Sequence, residues 1–307
     1  RDLDIASWDS YPLGFLERVG PTDVRRNTYA YTGDPDFQAF HHDLYRACGK
    51  DRTPEEPGRW WVMEQQPGPV NWARWNPAPK NGMVRLWSLE AFAHGAEVVS
   101  YFRWRQAPFA QEQYHAGLNR PDGSADIGSQ DAAQVSADLE ALGMETAHNK
   151  QAPAALVFDY TSIWTGQIQP QVENYDMFLA VLRWYRAARR LGLSIDIVPA
   201  GHDLSNYDLI LVPALLTLED KAAKALQAAK GVTLFAPRTA SKTSDFHCPK
   251  TLPPGDLQSI MPIRVERVES LRPGRDVPLM RDCAFIKWRE FTTPLPDTNV
   301  EAVRETQ

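Results

Sequence analysis

Cysteine is scarce in the 307 residues, and the three present, Cys48, Cys248 and Cys283, lie far apart. They make neither a disulfide framework nor a zinc-ligand spacing, and they fit a reducing, cytoplasmic compartment. No apolar run approaches the ~20 residues that span a bilayer, so no membrane partner is expected. Basic residues form no long block and the formal net charge is −6. That argues against a nucleic-acid or anionic-lipid surface. Low-complexity tracts are missing as well. With 43% hydrophobic and 23% charged residues, the composition is that of a globular chain long enough for two domains.

Tryptophan, by contrast, is crowded toward one end. Seven of the ten (Trp8, Trp60, Trp61, Trp72, Trp75, Trp87 and Trp104) fall in the first 104 residues. Such faces stack well on the apolar sides of sugar rings, although filling a core is their commoner use. Both readings stay open at this level.

Strands and helices alternate along the first part. LDIASWDSY (3–11) reads as a strand ending in Asp9 and Tyr11, and AFHHDLYRA (39–47) as a helix. RWWVMEQ opens the next unit, followed by a loop rich in Pro and Asn (67–82) and the helix MVRLWSLEAFAHG. In that helix Met83, Leu86, Trp87 and Ala91 share a face and Gly95 is placed to stop it. AEVVSYFRW (96–104) is the third strand, and SQDAAQVSADLEALG closes its unit with Ser129 as the expected N-cap. This order predicts a parallel sheet with right-handed crossovers. The segments after the strands (12–38, 67–82 and 105–128) are long, polar and aromatic, which is the habit of a (β/α)8 barrel. Three units cannot close a barrel of eight.

A polar linker, METAHNKQAP, interrupts the pattern at 144–153, and a second α/β region follows. AALVFDY is a strand. NYDMFLAVLRWYRAARRLG (174–192) is an amphipathic helix with Tyr175, Phe178, Leu179, Leu182 and Tyr185 on one face. The strands SIDIVP, YDLILVPAL and VTLFAP, with the helix EDKAAKALQAAKG, complete a doubly wound sheet of flavodoxin-like type. Its first turn has neither G-x-G-x-x-G nor G-K-[ST], so no nucleotide cofactor is expected. After 238 the chain reads as irregular.

The stretch RWWVMEQQPGPVNW (59–72) poses the functional question. Trp60, Trp61, Val62 and Met63 read as buried, and Glu64 follows them at the strand tip with two amides and a Pro-Gly break behind it. A carboxylate that caps or salt-bridges a strand end is the ordinary reading of such a glutamate from spacing alone.

Motif content goes further. WDSYPLGF (8–15), AFHHDLYR (39–46), WVMEQQPGPVNW (61–72), GMVRLW (82–87) and AHGAEVVSYFRWRQAPFAQEQYHAGLNRPDG (93–123) resemble glycoside hydrolase family 42 β-galactosidases, and ALVFDY, LGLSIDIVP and LFAPR continue the match. The resemblance implies the C-terminal portion of a (β/α)8 TIM barrel followed by a flavodoxin-like, class I amidotransferase-like domain. It places the last three βα units at 1–146 and a trimerisation domain, incomplete at its C-terminal end, at 147–307. The family's first five strands and its small closing β domain have no counterpart in this sequence.

In such a family the nucleophile of a retaining exo-β-galactosidase ends the seventh barrel strand in V-M-E-Q-Q-P-G, which carries onto Glu64. Glu112 and His115 match positions that bind galactose hydroxyls, and Trp72 a position lining the sugar subsite. Tyr11 is placed to hydrogen-bond the nucleophile, with a structural tyrosine as the bland alternative. For His115 taken alone, the bland alternative is a loop histidine bonded to backbone. Trp75 matches no family position and reads as packing. Which of Arg103 and Arg105 is functional is not decided by the sequence, and either could be a structural ion-pair partner. His41-His42 reads as a solvated or capping pair without a third metal ligand, so no metal is expected.

The family's acid/base follows an Asn, and no Asn-Glu pair here suits the role: Val172-Glu173-Asn174 has the reverse order and Asn299-Val300-Glu301 is interrupted. The implied partners are β-galactosides (lactose, galacto-oligosaccharides or plant galactans) and two further copies in a homotrimer. Taken by itself the chain reads as a non-catalytic half, limited to oligomerisation or weak sugar binding. Its unpaired strand edges predict poor solubility. An amidotransferase-like activity is a poor fit, because Cys248 follows His247 in an irregular segment.

Overall fold

A computed structural model describes residues 4–19, 23–49, 58–143, 151–173 and 176–272, together with the backbone of three strands between 277 and 294. The chain divides into two compact units, Arg1–Gln151 and Ala152–Gln307.

In the first unit β1 (Ala6–Ser10), β2 (Trp60–Gln65) and β3 (Val98–Tyr101) form a parallel sheet in the order β1-β2-β3. Between them run the helices α1 (Asp23–Thr28), α2 (Pro35–Cys48) and α3 (Met83–Ala93), and α4 (Ile127–Leu142) follows β3. Side chains alternate across β2, so Trp60 and Val62 are buried with Trp8, Ala91 and Ala96 in the core between sheet and helices. The other face behaves differently from the sequence reading. Trp61 is only partly covered and Met63 is 44% exposed, because both lie on the side away from α2 and α3. The apolar run WWVM is thus buried at alternate positions, not throughout.

Local chemistry sets the helix ends. Asp34 caps α2 by accepting from the N–H groups of Asp36 (3.0 Å) and Phe37 (3.2 Å), and Pro35 follows it in the first turn. α4 begins earlier than the sequence suggested. Its cap is Asp126, which accepts from Ile127 N–H at 2.9 Å, and Ser129 lies inside the first turn. Aspartate is as good a cap as serine and comes first in the chain, so the helix nucleates there. On α3 Trp87 and Ala91 are buried while Leu86 points to solvent, which narrows the apolar face expected for it.

The pair His41-His42 is not solvated. α2 lays both rings against Trp8, His41 stacked at 5.0 Å and His42 edge-on at 5.3 Å, and His42 is fully buried. His41 Nδ1 donates to the Phe37 carbonyl at 2.7 Å, and burial pushes its imidazole down to about 4. The sequence missed this because Trp8 is distant in the chain and supplies the apolar surface that covers the pair.

The second unit carries β4 (Ala154–Phe158), β5 (Ile195–Pro199), β6 (Leu209–Val212) and β8 (Val232–Phe235) in a parallel sheet of order β5-β4-β6-β8. That is the flavodoxin-like order. Its helices are α5 (Tyr160–Ile168), α6 (Met177–Arg190) and α7 (Asp220–Ala228), and the short strands β7 (Thr217–Leu218) and β9 (Lys242–Thr243) pair separately. On α6 Val181, Leu182 and Tyr185 are buried, whereas Tyr175 lies outside the described residues. The segment after 238 is more ordered than expected. β10 (Ile263–Ser270) pairs antiparallel with β13 (Trp288–Pro294), and β11 (Val277–Leu279) with β12 (Ala284–Ile286).

Candidate active site

The C-terminal ends of the three strands of the first unit open onto one cleft of about 660 Å³. Its walls bring together all five residues singled out from the sequence, Tyr11, Glu64, Trp72, Glu112 and His115, with Asp9, Phe15, Arg18, Phe102 and Arg103. Glu64 is the centre of this group. Tyr11 donates its phenolic hydrogen to Glu64 Oε2 at 2.5 Å. Burial, then the hydrogen bond to Glu64 and its charge, push the Tyr11 phenol well above its ordinary range. The phenol therefore remains a donor at any physiological pH.

The two amides behind Glu64 lock the strand tip in place. Gln65 Nε2 donates to the Ser10 carbonyl at 3.3 Å. Gln66 accepts from Leu13 N–H at 3.0 Å and donates to the Gly68 carbonyl at 2.8 Å. Both amide side chains are fully buried. Glu64 is thus carried on backbone that is tied to the neighbouring strand's loop on one side and to its own turn on the other. Two glycines allow this close packing. A Cβ on Gly14 would meet the Trp72 ring at 2.5 Å, and one on Gly68 would meet the Ala116 side chain at 2.6 Å.

His115 is 1% exposed, with its ring edge-on to Phe102 (5.1 Å) and to Tyr11 (5.7 Å). Nδ1 lies 3.1 Å from the Ala116 carbonyl, which can only accept. In the neutral ring that bond puts the hydrogen on Nδ1 and leaves Nε2 an acceptor. Nε2 is buried and has no hydrogen-bond partner among the described residues. A buried acceptor of this kind suits a ligand hydroxyl. Trp72 stands edge-on to Tyr11 at 5.3 Å and is half exposed, so its ring offers an apolar wall to the cleft.

Arg103, not Arg105, faces the site. Its guanidinium pairs with Glu112 at 3.3 Å and lies over the Phe102 ring at 4.7 Å, while Arg105 is exposed. Sequence reasoning missed Asp9 as part of the site. A register shift between Trp8 and Asp9 sets Asp9 opposite Glu64 across the β1–β2 ladder. Burial and the nearby charge of Glu64 hold its carboxyl above the usual aspartate value. Its position at a strand end, two residues before Tyr11, was the available signal. Trp75, expected to pack, is 68% exposed, with the Arg74 guanidinium over its ring at 5.9 Å. The loop of 67–82 lifts it off the body of the unit. No group of three or more His, Cys, Asp or Glu suited to a metal occurs among the described residues, and no helix among them is long and apolar enough to cross a membrane.

A parallel α/β unit with carboxylates gathered at the strand C-termini, inside an aromatic-walled cleft, matches the active-site face of a (β/α)8 barrel. Comparison with known proteins makes this specific. The family model described as "Beta-galactosidase" matches residues 1–142, and that described as "Beta-galactosidase trimerisation domain" matches 152–306. The chain belongs to the glycoside hydrolase family 42 β-galactosidases. It is 55% identical over 274 residues to the β-galactosidase BgaA of a Thermus species, covering 89% of this chain and 41% of that protein. The crystal structure of a β-galactosidase from the psychrophilic Marinomonas ef1 superposes with a TM-score of 0.86 at 45% identity, covering 95% of this chain and 45% of the other. A β-galactosidase from the haloarchaeon Halorubrum lacusprofundi gives 0.83 at 38% identity, covering 95% and 43%. The chain spans about two fifths of the length of the curated relatives it matches, and its first unit corresponds to part of their TIM barrel.

Proposed function

We propose that this chain forms part of a retaining exo-β-galactosidase in which Glu64 is the nucleophile. The observation that carries the reading is the 2.5 Å bond from Tyr11 to Glu64 inside the cleft. A carboxylate used only for structure at a strand end would find an arginine, a lysine or a helix N-terminus. Glu64 instead takes a neutral phenol and faces the space a sugar would fill.

In the double displacement, a Glu64 oxygen attacks the anomeric carbon as the glycosidic C–O bond breaks. The departing oxygen takes a proton from a second carboxylic acid. Water then attacks the galactosyl ester, gives its proton to that same group and releases Glu64. Tyr11 holds the carboxylate in line for attack. His115 Nε2 accepts from a sugar hydroxyl, Glu112 accepts from two neighbouring hydroxyls, and Trp72 covers an apolar ring face. A site whose buried polar atoms are completed by one sugar rejects an epimer that leaves them unpaired.

Neither of the other cleft carboxylates is assigned the acid role. Glu112 is paired with Arg103, and Asp9 sits beside Glu64 on the adjacent strand. We assign the acid to an Asn-Glu pair on another strand of the barrel, outside these residues. Taken alone, the chain would then lack a group worth ~10²–10⁴-fold in rate, and would be limited to self-association or weak sugar binding. The names of its relatives support β-galactosides as substrates, with lactose, galacto-oligosaccharides and plant galactans as the candidates. The trimerisation-domain match supports self-association through 152–306 as a homotrimer.

The test is trapping. A 2-deoxy-2-fluoro-β-galactosyl inactivator, applied to the intact protein and followed by peptide mass spectrometry, should label WVMEQQPG at Glu64. Label on another carboxylate, or turnover without any covalent adduct, would remove Glu64 from the role.

A further inference from the structure

The four-stranded sheet of the second unit has two faces, and only one stays covered as far as its edge. Toward α7, Val212 of β6 and Phe235 of β8 pack in a single cluster with Ala223 and Leu226. On the opposite face the parallel register aligns Ile197, Leu156, Leu211 and Leu234 in one row across β5, β4, β6 and β8. Registered partners in a parallel ladder point to the same side. The first three of that row are buried, yet Leu234 is 47% exposed. In the next row Val232 registers with Leu209 and is 66% exposed. The sheet therefore stays apolar after its cover stops, and no strand pairs with the outer edge of β8 among the described residues. An isolated exposed leucine needs no explanation, but an apolar edge strand left open is an aggregation hazard that proteins keep covered.

The same unit shows a second apolar patch. Tyr160, Trp164 and Ile168 recur at helical spacing along α5 and are all exposed. A ring of three identical chains cannot be built from one self-complementary patch, which gives a two-fold dimer. It needs two different surfaces that fit each other head to tail.

We propose that the β8 face carrying Val232 and Leu234 docks on the α5 stripe of the next copy of this chain. The inference rests on the self-association proposed above and assigns it a place. A second copy is the occupant because both patches lie within 152–306, the span matched by a trimerisation domain.

Sedimentation velocity on the intact protein tests this, with circular dichroism to verify folding. Wild type sediments as a trimer. Leu234→Asp and Trp164→Asp each give monomers. An equimolar mixture of the two gives dimers, because one junction retains both intact surfaces. A gentler Val232→Thr/Leu234→Thr double variant keeps the strand and weakens association by roughly tenfold or more. Either aspartate variant remaining trimeric overturns the proposal, as does a mixture that stays monomeric. A lowered melting temperature with the trimer intact also overturns it, in favour of cover by the same polypeptide. A monomeric wild type would instead remove the self-association reading itself, and hydrolysis of a chromogenic galactoside reports on Glu64 separately from all of these.

Discussion

Glu64, near the tip of β2, and Asp159, just past the end of β4, are both strand-end carboxylates, and they have opposite fates. β4 of the second unit ends at Phe158 and Asp159 follows. Asp159 accepts from the backbone N–H groups of Thr161 (3.2 Å) and Ser162 (2.8 Å), and from the hydroxyls of Ser162 (2.6 Å) and Thr217 (3.3 Å). Both carboxylate oxygens are engaged, by the start of α5 and by the neighbouring strand. Glu64 near the tip of β2 caps no helix, because a long loop separates it from α3. Loop length after the strand thus decides whether such a carboxylate is taken up by its own helix or left facing a cleft. In the first unit the loops are long and the strand ends carry polar chemistry. In the second the helix starts at once and the polar groups satisfy one another.

Three substitutions would break or sharpen that contrast. Glu64→Gln has the largest expected effect, a loss of roughly 10⁴-fold or more in kcat, with the thermal midpoint unchanged. A midpoint that falls while activity survives would place Glu64 with the structural carboxylates. Asp159→Ala should do the reverse, costing about 1–3 kcal/mol in denaturant unfolding while folded protein retains its kcat. A neutral effect on unfolding would mean that the Ser162 and Thr217 hydroxyls cap α5 well enough without it.

The smallest effect concerns pH and tells the units apart. His41 in the first unit has its folded-state value depressed to about 4. Between about 4 and the ordinary 6.5 the unfolded chain binds a proton that the folded one refuses. Stability from this group is complete above about 6.5 and is lost as pH falls toward 4. Urea unfolding at pH 5 and pH 7.5 should differ by roughly 1–2 kcal/mol from this source, and His41→Phe, which keeps the ring against Trp8, should shrink the difference. An unaltered difference would assign the acid sensitivity elsewhere.

Much of this was legible because it is local. The apolar run in RWWVMEQ, the Pro-Gly break after it and the periodicity of 174–192 are properties of neighbouring residues, and they yielded the parallel units. The five named cleft residues came from motif content, which records contacts that spacing alone does not. What stayed hidden was non-local or ambiguous. The burial of His41-His42 depends on Trp8, and the choice of Arg103 over Arg105 on where Glu112 folds back. α5 was passed over because YTSIWTGQI is short and rich in β-branched residues, poor material for a helix without the Asp159 cap. β10 did carry a signal, since Ile263 and Val265 alternate with charged residues in IRVERVES, but its partner lies about twenty residues further on.

The two hydrogen bonds of the Gln66 amide, accepted from Leu13 N–H and donated to the Gly68 carbonyl, have a consequence for anyone reshaping the cleft. The loops after β1 and β2 are not separate modules. A graft that exchanged 67–82 alone would disturb the Gly68 carbonyl that anchors the Gln66 amide, and so loosen the same side chain that accepts from the Leu13 N–H. Diversity in this pocket has to be introduced as matched pairs of loops, inherited or designed together.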